Sequence, residues 1–340
     1  MKKLAIALLG TTALSAGVAT AGELNLICSA DVVICERLVT EFEARHSDID
    51  VNMVRLSSGE AYAKIRAESR NPQTDLWWGG TGDPHLQAAH DGLTMEYKSP
   101  MLDELQPWAV KQAEVSGWHT VGVYSGALGW GYNTEIFKEK GLTPPKCWAD
   151  LLDPALKGEI EIADPNSSGT AYTTLATLVQ IMGEDEAFEF LGKLNENVAQ
   201  YTKSGSAPVK AAARGETGLG IVFQHDAVAQ AVAGFPIAVG SPCEGTGYEI
   251  GSMSLVEGAQ NVEEAKTFYD WVLRPEVQGV MPEAGSFQIP SNKNAKAPKE
   301  APDLSTIKLI DYDFAVYGSS EKRKALLARW DAEIGGKPAE

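Results

Sequence analysis

The feature that most constrains this chain is a repeated unit: a short apolar strand, a turn of small hydroxyl residues and glycine, then a helix. Leu24, Leu26 and Cys28 alternate as in a strand, and residues 36–45 place Leu38, Val39 and Phe42 on one helical face. Ile49, Val51 and Met53 alternate again, stop at Ser57-Ser58-Gly59, and precede a predicted helix over 60–69. The third strand, 74–78, ends at Gly79-Gly80-Thr81-Gly82, and Asp83-Pro84 opens the next helix. The pattern resumes with a strand at 158–163, the turn 164–169 and a helix over 170–182. A helix over 186–194, a strand over 198–202, a helix over 207–214 and a strand over 218–223 follow. Strands alternating with helices mean a mostly parallel sheet wrapped by helices. Two runs of the pattern, in a chain too long for one ordinary core, mean two lobes.

Residues 121–133 separate the runs. They are rich in β-formers and glycine where a bare linker would be polar, so they are expected to cross from the first lobe into the second, with a return around 236–254. The expected division is 22–120 plus about 250–290 for lobe 1 and about 125–245 for lobe 2. A C-terminal helical segment, 300–340, should pack on the lobes, its last helix capped by Ser319-Ser320.

The first 21 residues have the three parts of a secretory signal peptide: Lys2 and Lys3, an apolar stretch at 4–18, and Ala19-Thr20-Ala21 as a cleavage site. The stretch is too short to span a membrane. The expected mature chain is exported and free, beginning near Gly22. Its net charge would be −19, since the whole chain carries −17 and cleavage removes two lysines. Such a charge argues against nucleic acid and anionic membrane surfaces as partners. Four cysteines in an exported chain suggest two disulfides, and three connectivities exist. Cys28 and Cys35 flank a strand-to-helix turn and are the favoured pair, leaving Cys147 with Cys243.

Open α/β sheets bind ligands at the carboxyl ends of their strands. Here those ends carry Ser29, Ser57-Ser58-Gly59, Gly79-Gly80-Thr81, Asn166-Ser167-Ser168-Gly169-Thr170 and Ser204-Gly205-Ser206. Hydroxyls and free backbone N–H groups at helix N-termini suit an anion such as phosphate or carboxylate. Helix capping alone accounts for any one such turn; their recurrence on two lobes favours the anion site. The 218–223 strand ends in Gln224-His225-Asp226, groups suited to ligand hydroxyls. The sequence contains neither G-x-S-x-G nor H-E-x-x-H, and the S-x-x-K at 319–322 fits a helix cap. Catalysis is not expected.

The motifs DLWWGGTGDP at 75–84, ALGWGYNT at 127–134, PPKCWADLLDPALKGEI at 144–160 and DPNSSGTAY at 164–172 have a familiar order. With the signal peptide, they make the chain resemble the ferric-iron-binding-protein branch of ABC-importer receptors over nearly its whole mature length. The resemblance implies a type II-like periplasmic-binding-protein fold: two α/β lobes joined by crossing hinge strands and closing around a solute. It also implies a monomer in the periplasm that hands its ligand to an inner-membrane ABC permease, with no cofactor and no resident metal.

Iron receptors of the branch use adjacent tyrosines after the strand matching 218–223, and this chain has no Tyr-Tyr pair. Its His-Asp pair is instead similar to the hexose-phosphate-binding members. There, a histidine, an aspartate and a later glutamate contact sugar hydroxyls, which maps onto His225, Asp226 and Glu249, with Glu244 a rival for the last role. The phosphate rests on Ser/Thr/Gly loops, which maps onto Ser29, Ser58, Thr81, Ser168, Gly169 and Thr170. The expected ligand is therefore a phosphorylated sugar. The alternatives are ferric iron or an iron chelate, held by tyrosines such as Tyr172, Tyr201 or Tyr248, and a small zwitterion such as aminoethylphosphonate.

Overall fold

A computed structural model describes residues 21–335. The proposed signal peptide, but for Ala21, and the last five residues of the C-terminal segment lie outside the described residues. The chain begins with β1 (Gly22–Cys28), α1 (Val32–Glu43), β2 (Ile49–Arg55), α2 (Ser58–Glu68), β3 (Leu76–Trp78), α3 (Gly82–His90) and α4 (Pro107–Val115). Next come β4 (Val121–Asn133), α5 (Thr134–Lys140), β5 (Ile160–Ala163), α6 (Gly169–Met182), α7 (Glu184–Leu194), β6 (Val198–Thr202) and α8 (Ala207–Ala213). They are followed by β7 (Leu219–Phe223), α9 (Gln224–Val232), β8 (Ile237–Gly240), β9 (Tyr248–Leu255), α10 (Val262–Val272) and α11 (Pro275–Gln278). The chain closes with β10 (Ile289–Pro290), α12 (Phe314–Tyr317) and α13 (Ser320–Trp330).

The strands hydrogen-bond in the order β2-β1-β3-β9-β4-β7-β5-β6, with β8 and β10 also on β4. Parallel pairing is confined to the two ends: β1 with β2 and β3, and β5 with β6 and β7. Everything touching β4 is antiparallel. Residues 121–127 of β4 pair with β9, while 128–132 pair with β7. At about 3.3 Å per residue, this one strand runs roughly 40 Å, enough to belong to both halves.

Each half has its own apolar core. One gathers Leu24, Leu26, Phe42, Leu76, Phe268 and Trp271. The other gathers Trp130, Trp148, Ile160, Leu175, Phe188 and Leu219, and takes Leu326 and Trp330 from α13. These helices and strands bury Leu, Val, Phe and Trp on one face because their apolar positions recur at 3.6 or 2.0 residues. The disulfides pair Cys28 with Cys35 and Cys147 with Cys243, as expected.

α1 starts four residues before the expected 36. Val32, Val33 and Ile34 are consecutive and show no helical period, and Val32 and Val33 are exposed. The buried face begins only at Ile34, so the first turn carries exposed valines that gave no helical signal.

Candidate functional site

Because β1, β2 and β3 are parallel neighbours, their carboxyl ends open on one edge, and the ends of β5 and β7 open toward it from the other half. One cavity lies there. On the first side it is lined by Ser29, Ser58 and Thr81, on the second by Ser168, Gly169 and Thr170, and at its other end by His225, Asp226 and Glu249. All nine residues named from the sequence for the two ends of a ligand thus meet in a single space. Glu244 does not; it accepts hydrogen bonds from the backbone N–H groups of Trp148 and Ala149.

The first end is built from helix starts. Ser57 caps α2 reciprocally with Glu60, Thr81 is the residue before α3, and Ser168 accepts from the Ala171 N–H at the start of α6. Three helix N-termini therefore bring partial positive charge to one place. Ser58 Oγ accepts from the Thr81 N–H at 3.2 Å, and Ser29 Oγ accepts from the Trp77 indole at 2.8 Å. The Thr81 hydroxyl is buried and has no hydrogen-bond partner among the described residues. The halves touch closely here. The Gly59 N–H donates to the Ser167 carbonyl, and a Cβ on Gly169 would lie 2.0 Å from Thr81 Oγ1.

Sequence reasoning missed the ions at this end. Arg55, the last residue of β2, donates to the Ala30 carbonyl, Ser57 Oγ and, across the cavity, Ser204 Oγ. Asp31 spans the same gap, accepting from Ser206 Oγ at 2.7 Å and Lys210 Nζ at 3.0 Å. Burial would raise the Asp31 carboxyl, but Lys210 and Ser206 outweigh it and hold it below its ordinary value. A lone basic residue between a strand and a Ser-Ser turn was the available signal for Arg55.

The second end is ionisable. β7 passes into α9 without a loop, so His225 and Asp226 sit in the first helical turn, while the Gln224 amide turns away to the Leu128 carbonyl. His225 Nε2 lies 3.6 Å from Asp226 Oδ1 and 3.7 Å from Glu249 Oε1. Burial keeps the imidazole neutral, its pKa depressed to about 3. Burial, then the charge of Asp31, pushes the Asp226 carboxyl up to about 8. Burial and Asp226 push Glu249 well above the ordinary range. The three groups face one another as neutral donors and acceptors rather than as ions.

β4 sets this geometry. Gly126 pairs with Glu249, and a Cβ on Gly126 would fall 2.4 Å from His225 Nδ1, so the imidazole occupies the space of a missing side chain. The Tyr124 hydroxyl accepts from the Gly80 N–H at 2.7 Å, and its ring lies over Gly251. Ser286 and Gln288 complete the wall. Tyr124, Ser286 and Gln288 were not legible as site residues; the last two come from a loop far along the chain.

Tyr172, Tyr201 and Tyr248, the tyrosines an iron site would draw on, do not converge on the cavity. Tyr172 is buried in the second core and donates to the Tyr317 carbonyl, and Tyr201 donates to Asn195 Oδ1. Tyr248 packs against Tyr312 and Phe314.

Comparison with known proteins agrees with this arrangement. Residues 85–316 match the family model described as bacterial extracellular solute-binding protein. An uncharacterized protein of Haemophilus influenzae is 45% identical over 332 residues, 95% of this chain and 96% of that one. The periplasmic binding protein AfuA from Actinobacillus pleuropneumoniae, solved with exogenous fructose-6-phosphate bound, is 46% identical. It superimposes with a TM-score of 0.89 over 92% of this chain and 99% of its own. Iron-bound HitA from Pseudomonas aeruginosa shares the fold at 18% identity, with a TM-score of 0.75 over 91% of this chain and 99% of its own. With its parallel-ended sheet, its cleft and these matches, the chain belongs to the bacterial extracellular solute-binding proteins.

Proposed function

We propose that this protein is the periplasmic receptor of an ABC importer and that its ligand is a hexose phosphate. The observation that carries this reading is the division of the cavity. One end offers Arg55, three helix N-termini and the unpartnered Thr81 hydroxyl; the other offers His225, Asp226 and Glu249. A phosphate dianion fits the first end. A polyol fits the second, because each ring hydroxyl both donates and accepts. Asp226 with a pKa of about 8 holds its proton at neutral pH, which favours neutral hydroxyls over the ammonium of an aminoethylphosphonate. The similarity to AfuA supports the same ligand class. On this reading the protein acts as a monomer and is emptied by an inner-membrane permease.

Native mass spectrometry of the purified protein, followed by thermal shift, tests the assignment. A ligand that binds only the folded state raises the melting temperature by mass action. Glucose 6-phosphate or fructose 6-phosphate should stabilise strongly, and inorganic phosphate little. Stabilisation by ferric citrate alone, or by aminoethylphosphonate above the sugars, would overturn the reading.

A further inference from the structure

The cavity has a neighbour of opposite character. Behind Tyr124 lies a small apolar chamber of about 30 Å³, lined by Leu38, Trp78, Val123, Val277 and Met281. Tyr124, Ser286 and Gln288 line both spaces, so they form the partition. Tyr124 is fixed: it is buried, its hydroxyl is held by the Gly80 N–H, and its ring meets Trp78 edge-on. The remaining partition is the Ser286–Gln288 pair.

The sheet explains how the pair reaches the site. β10 pairs with β4, Ile289 opposite Ser125. Continuing that antiparallel register puts Gln288 opposite Gly126, whose other neighbour is Glu249. Residues directly opposite in an antiparallel pair share a face, so Glu249 and Gln288 flank the gap that Gly126 leaves for His225. The Gln288 amide stands beside the Glu249 carboxyl and partly offsets the rise in its proton affinity. Ser286 Oγ donates to Gln288 Oε1, which fixes the amide with its NH₂ toward the carboxyl.

We propose that Gln288, oriented by Ser286, determines which phosphate esters the cavity takes. It presents Glu249 to a sugar hydroxyl, and it shuts the cavity off from the apolar chamber, so that a polyol body is accepted and an apolar body is refused. The proposal builds on the hexose-phosphate reading for the first half of this role. The second half, the exclusion of apolar bodies, concerns the partition alone.

Isothermal titration of the wild type, Gln288→Ala and Ser286→Ala with glucose 6-phosphate, phenyl phosphate and inorganic phosphate tests it. In the wild type, phenyl phosphate should bind no more tightly than inorganic phosphate. Gln288→Ala should weaken glucose 6-phosphate about tenfold, the scale of one lost hydrogen bond, and tighten phenyl phosphate by a similar factor as its ring enters the space that the chamber and the lost amide make together. Inorganic phosphate should be unchanged, and Ser286→Ala should move both ligands in the same directions by less. Equal weakening of all three ligands would mean a merely structural role and would overturn the proposal. So would no change in Gln288→Ala, or tight phenyl phosphate binding by the wild type. If the wild type ignores glucose 6-phosphate, the hexose-phosphate reading fails, while the tighter binding of phenyl phosphate by Gln288→Ala still decides the partition.

Discussion

The two ends of the cavity solve opposite problems with different parts of the fold. The end at Ser58, Thr81 and Gly169 is made of helix starts, capping hydroxyls, one arginine and the Asp31–Lys210 ion pair. The end at His225, Asp226 and Glu249 is made of two buried ionisable side chains and the partly exposed Asp226, their proton affinities displaced by desolvation and by nearby charge. A fixed charge on the ligand is met by fixed dipoles, and hydroxyls are met by groups whose donor or acceptor character the protein has set. The first end is also where the halves meet, through Asp31 with Ser206 and Lys210 and through Arg55 with Ser204. Anion binding and contact between halves are therefore tied together there, whereas the second end is assembled around β4, which belongs to both.

The largest effect should come from the close approach at the first end. Gly169→Val places a branched side chain where a Cβ already falls 2.0 Å from Thr81 Oγ1. Titration should show inorganic phosphate and hexose phosphate weakened alike, by about a hundredfold or more, since overpacking of a tight approach costs roughly 1–3 kcal/mol and displacement of the anion adds to it. Retained affinity would show that the approach is not needed for binding. Asp226→Ala comes next and should separate the ends. Loss of one buried hydrogen-bonding carboxyl should cost about 2 kcal/mol, roughly thirtyfold, in hexose phosphate and nothing in inorganic phosphate. Equal loss of both would dissolve the distinction between the ends. Arg55→Gln should be smaller, about tenfold, and should weaken both ligands equally. An effect confined to the sugar would place Arg55 at the wrong end.

How much of this was legible follows from the same contrast. The first end could be read because its ingredients are local: Ser57-Ser58-Gly59 or Ser168-Gly169-Thr170 at a strand-to-helix turn means a helix start whatever the tertiary structure does. His225 and Asp226 were legible for the same reason, since they stand where β7 becomes α9. The role of Glu249 came only through resemblance, because a lone glutamate in a strand has no local signature. Asp31 and Arg55 went unread because their meaning is their partners across the cavity, about 150 or more residues away. Ser286 and Gln288 were the least legible, because only the pairing of the two-residue β10 with β4 brings them to the site.

The smallest prediction concerns protons at the second end. Asp226 titrates at about 8 in the folded protein against an ordinary 3.8, so above about pH 4 the unfolded chain releases a proton that the native state keeps. The native state then binds more protons, and stability falls as pH rises from about 4 to about 8. Glu249, also raised, acts in the same direction. His225 and His85, both held to about 3 by burial, act oppositely, up to about one pH unit above their ordinary 6.5, where the unfolded chain finishes releasing the protons they refuse. Asp83, at about 6, completes its titration below the same point, and Asp31, held low, matters only in acid. Between pH 6.5 and 8 the carboxyls at the second end outweigh the fading contribution of the two histidines. Urea unfolding should give a stability lower at pH 8 than at pH 6.5 by up to about 2 kcal/mol per carboxyl, a bound that solvent reaching Asp226 reduces. Asp226→Asn should flatten that fall without removing it, because Glu249 remains. Arg55→Gln removes a charge that lowers Asp226, so it should steepen the fall and carry it to higher pH. A wild-type stability that is level or rising across this window would mean that both carboxyls are ionised and solvated, and the second end would then be no different in kind from the first.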